Sequence, residues 1–246
     1  MAKERGRCLV IPAAGNGRRF ADKGYAQPKP FVLVHGRPMV EVVVRNMRDI
    51  LGPIHVVLIL RDDMKGLAAT LDLDDVEFMY DVDPRGTAAT LMNDLQTLDP
   101  TTEVIIANSD QVVCFDRVAF ESASDGSGTI LAFECPERDV KWSYAEVNTD
   151  GEVIRVAEKV PISEHATVGV YRFARAEMLI EGVRRMIAAD DRTNGEFYLC
   201  PTFNHIEANV GPVRIVHVTK MWGLGTPEDL EASLKDESFA AYVKRI

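Results

Sequence analysis

The sequence has 246 residues, 46% hydrophobic and 27% charged, enough to bury one sizeable core beneath a soluble surface. Its 28 Lys and Arg stand against 38 Asp and Glu, and the net charge of -10 opposes non-specific attraction to nucleic acid or anionic membranes. No apolar run approaches the ~18 residues of a membrane span, and the opening MAKERGRCLV lacks a secretory apolar core; a cytoplasmic protein without nucleic-acid or membrane partners is therefore expected.

The chain opens with CLVIP, a short continuous apolar run of the kind repeated in HVVLIL, VEFMY and EVIIAN. Such runs suit parallel strands buried on both faces. Between them, PMVEVVVRNMRDIL sets Pro38 near a helix start and puts Met39, Val43, Met47 and Ile50 or Leu51 at helical spacing. GTAATLMNDLQTL reads as another helix. The alternation predicts βαβ units: an α/β fold with a doubly wound, mostly parallel mixed sheet, Rossmann-like in style, to about residue 111. From about residue 112 the pattern changes. TILAFEC and WSYAEVNTDGEVIRVAEK alternate apolar and polar residues, and Thr149, Asp150 and Gly151 supply hairpin-turn chemistry. HATVGVYRF reads as a strand, AEMLIEGVRRMIAA as a helix and VRIVHV as a strand. TPEDLEASLKD starts a helix with Thr226 as N-cap and Pro227 first in the helix. No linker, repeat or low-complexity tract separates the halves, so one domain over 1–246 is expected, its smaller second lobe covering the open edge of the first.

Chemistry concentrates after the first strand. Small residues at Ala13, Ala14, Gly15 and Gly17, with Asn16 between, let backbone N–H groups approach phosphate oxygens that bulky side chains would hold off. The P-loop and G-x-G-x-x-G patterns are absent, and tight strand-to-helix turns also use glycine for geometry alone. Arg19 and Lys29, the latter in QPKPF, add fixed charge suited to a phosphoryl group. Cys8, Cys114, Cys135 and Cys200 form no CxxC pair and read as core thiols; His35, His55, His165, His205 and His217 lack ligand spacing.

Taken together, IPAAGNGRRF and GYAQPKPFVLVHGRPMV resemble the G-x-G-x-R-[LF] and P-K-P signature of bacterial sugar-1-phosphate nucleotidyltransferases. The rest follows in that family's order. DPRGTAAT resembles its base-binding segment, IIANSD its metal-binding Asp, VAEKV its acceptor-phosphate pair, VGVYRF the strand after it, and NGEFYLCPTFN its R-G-E or N-x-E segment. The resemblance spans the whole chain and is nearest a capsule and surface-polysaccharide branch that includes cytidylyltransferases. It implies an NTP-binding half over about 1–111 and an acceptor-binding and C-terminal half over about 112–246. It assigns Arg19 and Lys29 to the triphosphate, and Asp110 to Mg2+, all three as catalytic residues. Ala13, Ala14, Gly15, Asn16, Gly17, Gly86, Thr87, Ala88 and Ser109 would contact the NTP, and Glu158, Lys159, Gly169 and Glu196 the acceptor. Arg18 is left for solvent or a local contact, since neighbours in an extended loop point apart.

One departure stands out. Many members of the family carry a second metal-binding Asp where MWGLGTPEDL has Gly223, while Glu228 and Asp229 read as acids favouring a helix N-terminus. The implied reaction joins an NMP from an NTP, with CTP first and dTTP or UTP next, to a phosphorylated small molecule such as a sugar 1-phosphate, releasing pyrophosphate. Two other readings stay open: a nucleotide-sugar-dependent glycosyltransferase using a D-x-D pair such as Asp81 and Asp83, and a non-catalytic nucleotide-binding module. Homo-oligomerisation is also left open by the sequence.

Overall fold

The structure, a computed structural model, describes residues 6–81, 86–123, 126–207 and 211–246. In chain order the first half runs β1 (Arg7–Pro12), α1 (Arg18–Asp22), the short hairpin β2 (Leu33–Val34) and β3 (Arg37–Pro38), α2 (Met39–Leu51), β4 (His55–Arg61), α3 (Lys65–Ala68), β5 (Val76–Asp81), α4 (Thr87–Asp94) and β6 (Glu103–Ala107). The second half runs β7 (Gln111–Phe115), α5 (Arg117–Ser122), β8 (Gly128–Glu134), β9 (Ser143–Val147), β10 (Val153–Glu158), β11 (His165–Phe173), α6 (Ala176–Ala188), β12 (Val213–Gly223), α7 (Pro227–Leu234) and α8 (Glu237–Arg245).

The main sheet has the order β5-β4-β1-β6-β11-β8-β12-β7, with β9 on β11 and β10 on β9. β4 and β6 flank β1 in parallel, so chain direction switches sides at β1. Ligands of open α/β sheets bind at such a switch, beyond the carboxyl ends of the strands. Alternate residues of β1 serve opposite faces: Leu9 and Ile11 pack with Val40, Val43 and Met47 of α2, whereas Cys8 and Val10 pack with Leu91 of α4 and Leu179 and Val183 of α6. Each such fully buried aliphatic contributes about 1.5–3 kcal/mol. β11 then pairs antiparallel with β6, covering the edge that the first half leaves open.

The expected helices form at α2, α4, α6 and α7, and Thr226 caps α7 by accepting the Asp229 N–H at 3.1 Å. The closing strand is longer than VRIVHV. Residues 213–217 of β12 run parallel to β8, a bulge intervenes near Val218 and Lys220, and the strand continues antiparallel to β7 as far as Gly223. Its outer part is mostly half-exposed and carries no continuous apolar run, which is why the sequence gives little sign of it.

β7 is held from its free side by a side chain. Asn46, fully buried on α2, donates from Nδ2 to Val113 O at 2.7 Å and accepts the Val113 N–H at 3.1 Å, replacing the missing neighbouring strand. Replacing Asn46 with Ala leaves a buried donor and a buried acceptor unpaired at about 1–3 kcal/mol each. Asn46→Ala is therefore expected to lower unfolding free energy by about 2–5 kcal/mol, read from chemical denaturation. A loss below half of that lower figure would mean that water replaces the amide.

Candidate active site

The loop after β1 forms one wall of a cavity of about 660 Å³ at the carboxyl ends of β1 and β6. Ala13 is fixed by its N–H to Ile59 O at 2.7 Å, and Gly15 O accepts from Arg61 at 2.9 Å. Gly17 is left-handed at φ 59, and a Cβ there would sit 2.9 Å from Lys29 Cβ, so glycine is needed for the loop to close on Lys29. Among the described residues, the N–H groups of Gly15, Asn16 and Gly17 donate no hydrogen bond. They are available to an anion.

Both Arg18 and Arg19 line this cavity, where only Arg19 was expected. Residues 18–22 are helical rather than extended, so the two side chains lie about 100° apart on one short turn instead of on opposite sides. Opposite them, Lys29 Nζ is ion-paired with Asp110 Oδ2, each side chain about one-fifth exposed. Asp110 ends the three-residue connection from β6 to β7, with Asn108 and Ser109 also facing the cavity. Asn108 donates its N–H to Gly169 O at 2.9 Å, and a Cβ on Gly169, at φ 74, would fall 2.0 Å from Asn108 Nδ2. Gly169 thus makes room for Asn108 within a bulge of β11.

The start of α4 reaches the cavity through Thr87. Ala88 is fully buried in the core, and Gly86, at φ 126, packs on Phe197, where a Cβ would meet its N and O at 2.7 Å. Neither lines the cavity; nor does Ala14, which is buried. Asp83 lies outside the described residues, and Asp81 ends β5 at the far edge of the sheet.

The opposite wall comes from the second half. Glu158, at the end of β10, is nearly buried and accepts a hydrogen bond from Ser143 Oγ. Burial holds its carboxyl above the ordinary 4.5, against the opposing pull of the Ser143 hydrogen bond and the Lys159 charge. Lys159 is left-handed at φ 57 and donates to Tyr198 Oη at 2.6 Å. Glu196 follows a tight hairpin turn at Asn194 and Gly195, both with positive φ, as a two-residue I′ turn requires. Beneath them, burial keeps Tyr171 protonated, its hydroxyl 2.8 Å from Thr167 Oγ1, and pushes the Cys200 thiol up to about 12. Lys141 and Trp142 complete this wall, and Lys141 Nζ lies 3.8 Å from Asp229 Oδ1 on α7. Lys141, Trp142 and Ser143 carry no motif, and Tyr198 lies within NGEFYLCPTFN without being singled out there; the fold brings the four to this wall.

Among the described residues no cluster of three or more His, Cys, Asp or Glu forms a ready-made metal site. Asp110, paired with Lys29, and Asp229, beside Gly223, are carboxylates that line the cavity. No helix among the described residues is long and apolar enough to cross a membrane.

Comparison with known proteins gives a consistent picture. Residues 9–128 match the MobA-like NTP transferase domain. The bifunctional protein GlmU of Thermodesulfovibrio yellowstonii is 24% identical over 205 residues, 78% of this chain; the chain spans about two-fifths of that relative, 42% of its length. The solved nucleoside-diphosphate-sugar pyrophosphorylase from Vibrio cholerae RC9 superposes with a TM-score of 0.79 at 24% identity, over 93% of this chain and 100% of the other. The inositol-1-phosphate CTP transferase from T. maritima shares the fold at 13% identity, TM-score 0.72, over 98% of each chain. The α/β fold and the family resemblance drawn from the motifs are borne out.

The raised carboxyl of Glu158 gives a test with a definite sign. Between 4.5 and its higher folded value the native state binds more protons than the unfolded chain, so this group's contribution to stability falls as pH rises. Glu158→Gln removes that dependence. Thermal melts from acid to neutral pH should show the variant gaining on the wild type as pH rises, then levelling off. A variant that instead loses ground would mean that Lys159 outweighs burial.

Proposed function

We propose, for a chain whose residues 9–128 match the MobA-like NTP transferase domain, that the cavity catalyses nucleotidyl transfer. A phosphate oxygen of a phosphorylated acceptor attacks the α-phosphorus of an NTP; the bond to the β-phosphate oxygen breaks and pyrophosphate leaves. The carrying observation is a single cavity that joins the glycine loop, Arg19 and Lys29 on one wall to Glu158, Lys159 and Glu196 on the other, with Asp110 between. The protein's task is then positioning and charge stabilisation, not covalent chemistry.

In this reading the unpaired N–H groups of Gly15, Asn16 and Gly17, with Arg19 and Lys29, bind the triphosphate. Thr87 and Ser109 border the nucleoside, with Gly86 shaping the backbone behind it. Lys159 meets the acceptor phosphate, held by Tyr198. Glu158 and Glu196 take acceptor hydroxyls. The half-buried carboxylate of Asp110 is a hard oxygen donor and fits Mg2+, which would be held by Asp110, phosphate oxygens and water. Bound there, the ion neutralises phosphate charge as a Lewis acid. CTP is our first choice of donor, from the resemblance to a branch that includes cytidylyltransferases; dTTP and UTP follow. A sugar 1-phosphate destined for a surface polysaccharide is the leading acceptor, and the reaction is placed in the cytoplasm.

The test is pyrophosphate release from a panel of NTPs against phosphorylated metabolites. Turnover should need both substrates and cease in excess chelator; full activity in chelator would overturn the metal assignment. Arg19→Ala should lose about 10²–10³ in rate, as removal of one positioned donor does, and Arg19→Lys should recover only part. Since Arg18 shares the cavity, Arg18→Ala is expected to lose activity as well. Lys159→Ala should weaken use of the acceptor far more than binding of the NTP; the reverse pattern would exchange the two walls.

A further inference from the structure

Gly223 and Gly225 sit where β12 ends against Asp110. Leu224 donates its N–H to Asp110 O at 2.8 Å, and a Cβ on Gly225 would lie 3.2 Å from Asp110 Oδ2. Neither glycine has positive φ, so the backbone does not demand glycine at either position. Leu224 between them is fully buried, and residues i and i+2 of an extended stretch face the same side, here the cavity. A Cβ on Gly223 would stand in ordinary van der Waals contact with Asp229, 3.6 Å from its Cβ and 3.8 Å from its Cγ, so the Asp229 carboxylate lies beside the place where a side chain on Gly223 would enter. Asp110 and Asp229 thus flank the two ends of a stretch whose Cα atoms span at most about 7 Å.

The first turn of α7 divides its two acids. Glu228 points outward to Lys23 Nζ at 3.0 Å. Asp229 points inward, its N–H tied to the Thr226 cap, and its ion partner is the loosely placed Lys141 at 3.8 Å. A carboxylate whose backbone is fixed by the helix cap, facing the cavity with so distant an ion partner, can take a stronger cation.

We propose that Asp229 supplies the second carboxylate facing the divalent metal that enters with the triphosphate, reaching from α7 over Gly223 to the position that a side chain on β12 would otherwise fill. This rests on the nucleotidyl-transfer reading only in that the metal arrives with a triphosphate. Asp110 and Asp229 would approach the ion from opposite sides of one strand end. Two carboxylates with phosphate oxygens and water suit an octahedral ion.

The probe is Mn2+, followed by electron paramagnetic resonance, titrated with inorganic triphosphate present so that the result does not depend on the base. Asp229→Asn, nearly isosteric, should weaken Mn2+ binding by at least the about tenfold that loss of even an outer-shell partner costs. Glu228→Gln, which removes the same charge from the same helix turn, should leave it unchanged. Gly223→Asp in the Asp229→Asn background should recover Mn2+ affinity while the thermal midpoint stays put, separating ligation from helix capping. Wild-type affinity in Asp229→Asn, or an equal loss in Glu228→Gln, overturns the assignment. The two readings can also fail separately. An enzyme that releases pyrophosphate but whose Mn2+ affinity ignores Asp229 keeps its reaction and loses this ligand; a protein that turns over no NTP yet loses Mn2+ in Asp229→Asn keeps the ligand and loses the reaction.

Discussion

Three residues, Asn108 to Asp110, join β6 to β7, and the shape of the molecule follows from how short that connection is. In the sheet order β7 stands four places from β6, about 19 Å away if the sheet were flat. The chain from Ala107 to Gln111 can reach only about 14 Å. The sheet therefore has to turn back on itself, and the bulge near Val218 and Lys220 of β12 is where the strand leaves β8 and takes up β7. Asn46 then anchors β7 from outside. The concavity left by that return is the cavity, and Asp110 lies at its narrowest connection. A flat sheet with the same strands would have no such pocket.

Charge is distributed against the average of the chain. Of a molecule with net charge -10, five cations, Arg18, Arg19, Lys29, Lys141 and Lys159, line one cavity with four acids, Asp110, Glu158, Glu196 and Asp229. Two of the acids are placed so that their charge is muted. Asp110 is neutralised by Lys29, and Glu158 is buried with its carboxyl pushed toward the protonated form. The surplus of acid elsewhere repels polyanions in general, so any anion that enters the cavity is drawn there by the local field.

The first half of the fold was legible because its signals are local. Continuous apolar runs mark strands covered on both faces, helical spacing marks α2, and Thr226 with Pro227 marks the start of α7. The bend of β12 was not legible, since its residues are mostly half-exposed, and β7, though mostly buried, owes its place at the edge to a pairing set by the short connection. In the site, glycines and charged motif residues could be read, and the chain does gather Arg19, Lys29, Asp110, Glu158, Lys159 and Glu196 around one cavity. Ala88 was misleading: a small residue beside a loop can serve close backbone approach or a packed core, and here its side chain serves the core. Arg18 and Asp229 needed the third dimension, because whether an arginine in a turn or an acid at a helix start faces inward depends on helical phase.

Gly86 presses on the backbone of Phe197, and Ala88 donates its N–H to Phe197 O at 3.1 Å. Through this contact the start of α4, on one wall, is fastened to the hairpin carrying Glu196, on the other. The two walls are therefore joined at that corner. In the reaction proposed above, a first substrate that stilled this junction would remove motion that the second would otherwise have to quench, which would link the two occupancies thermodynamically with no movement of either wall required.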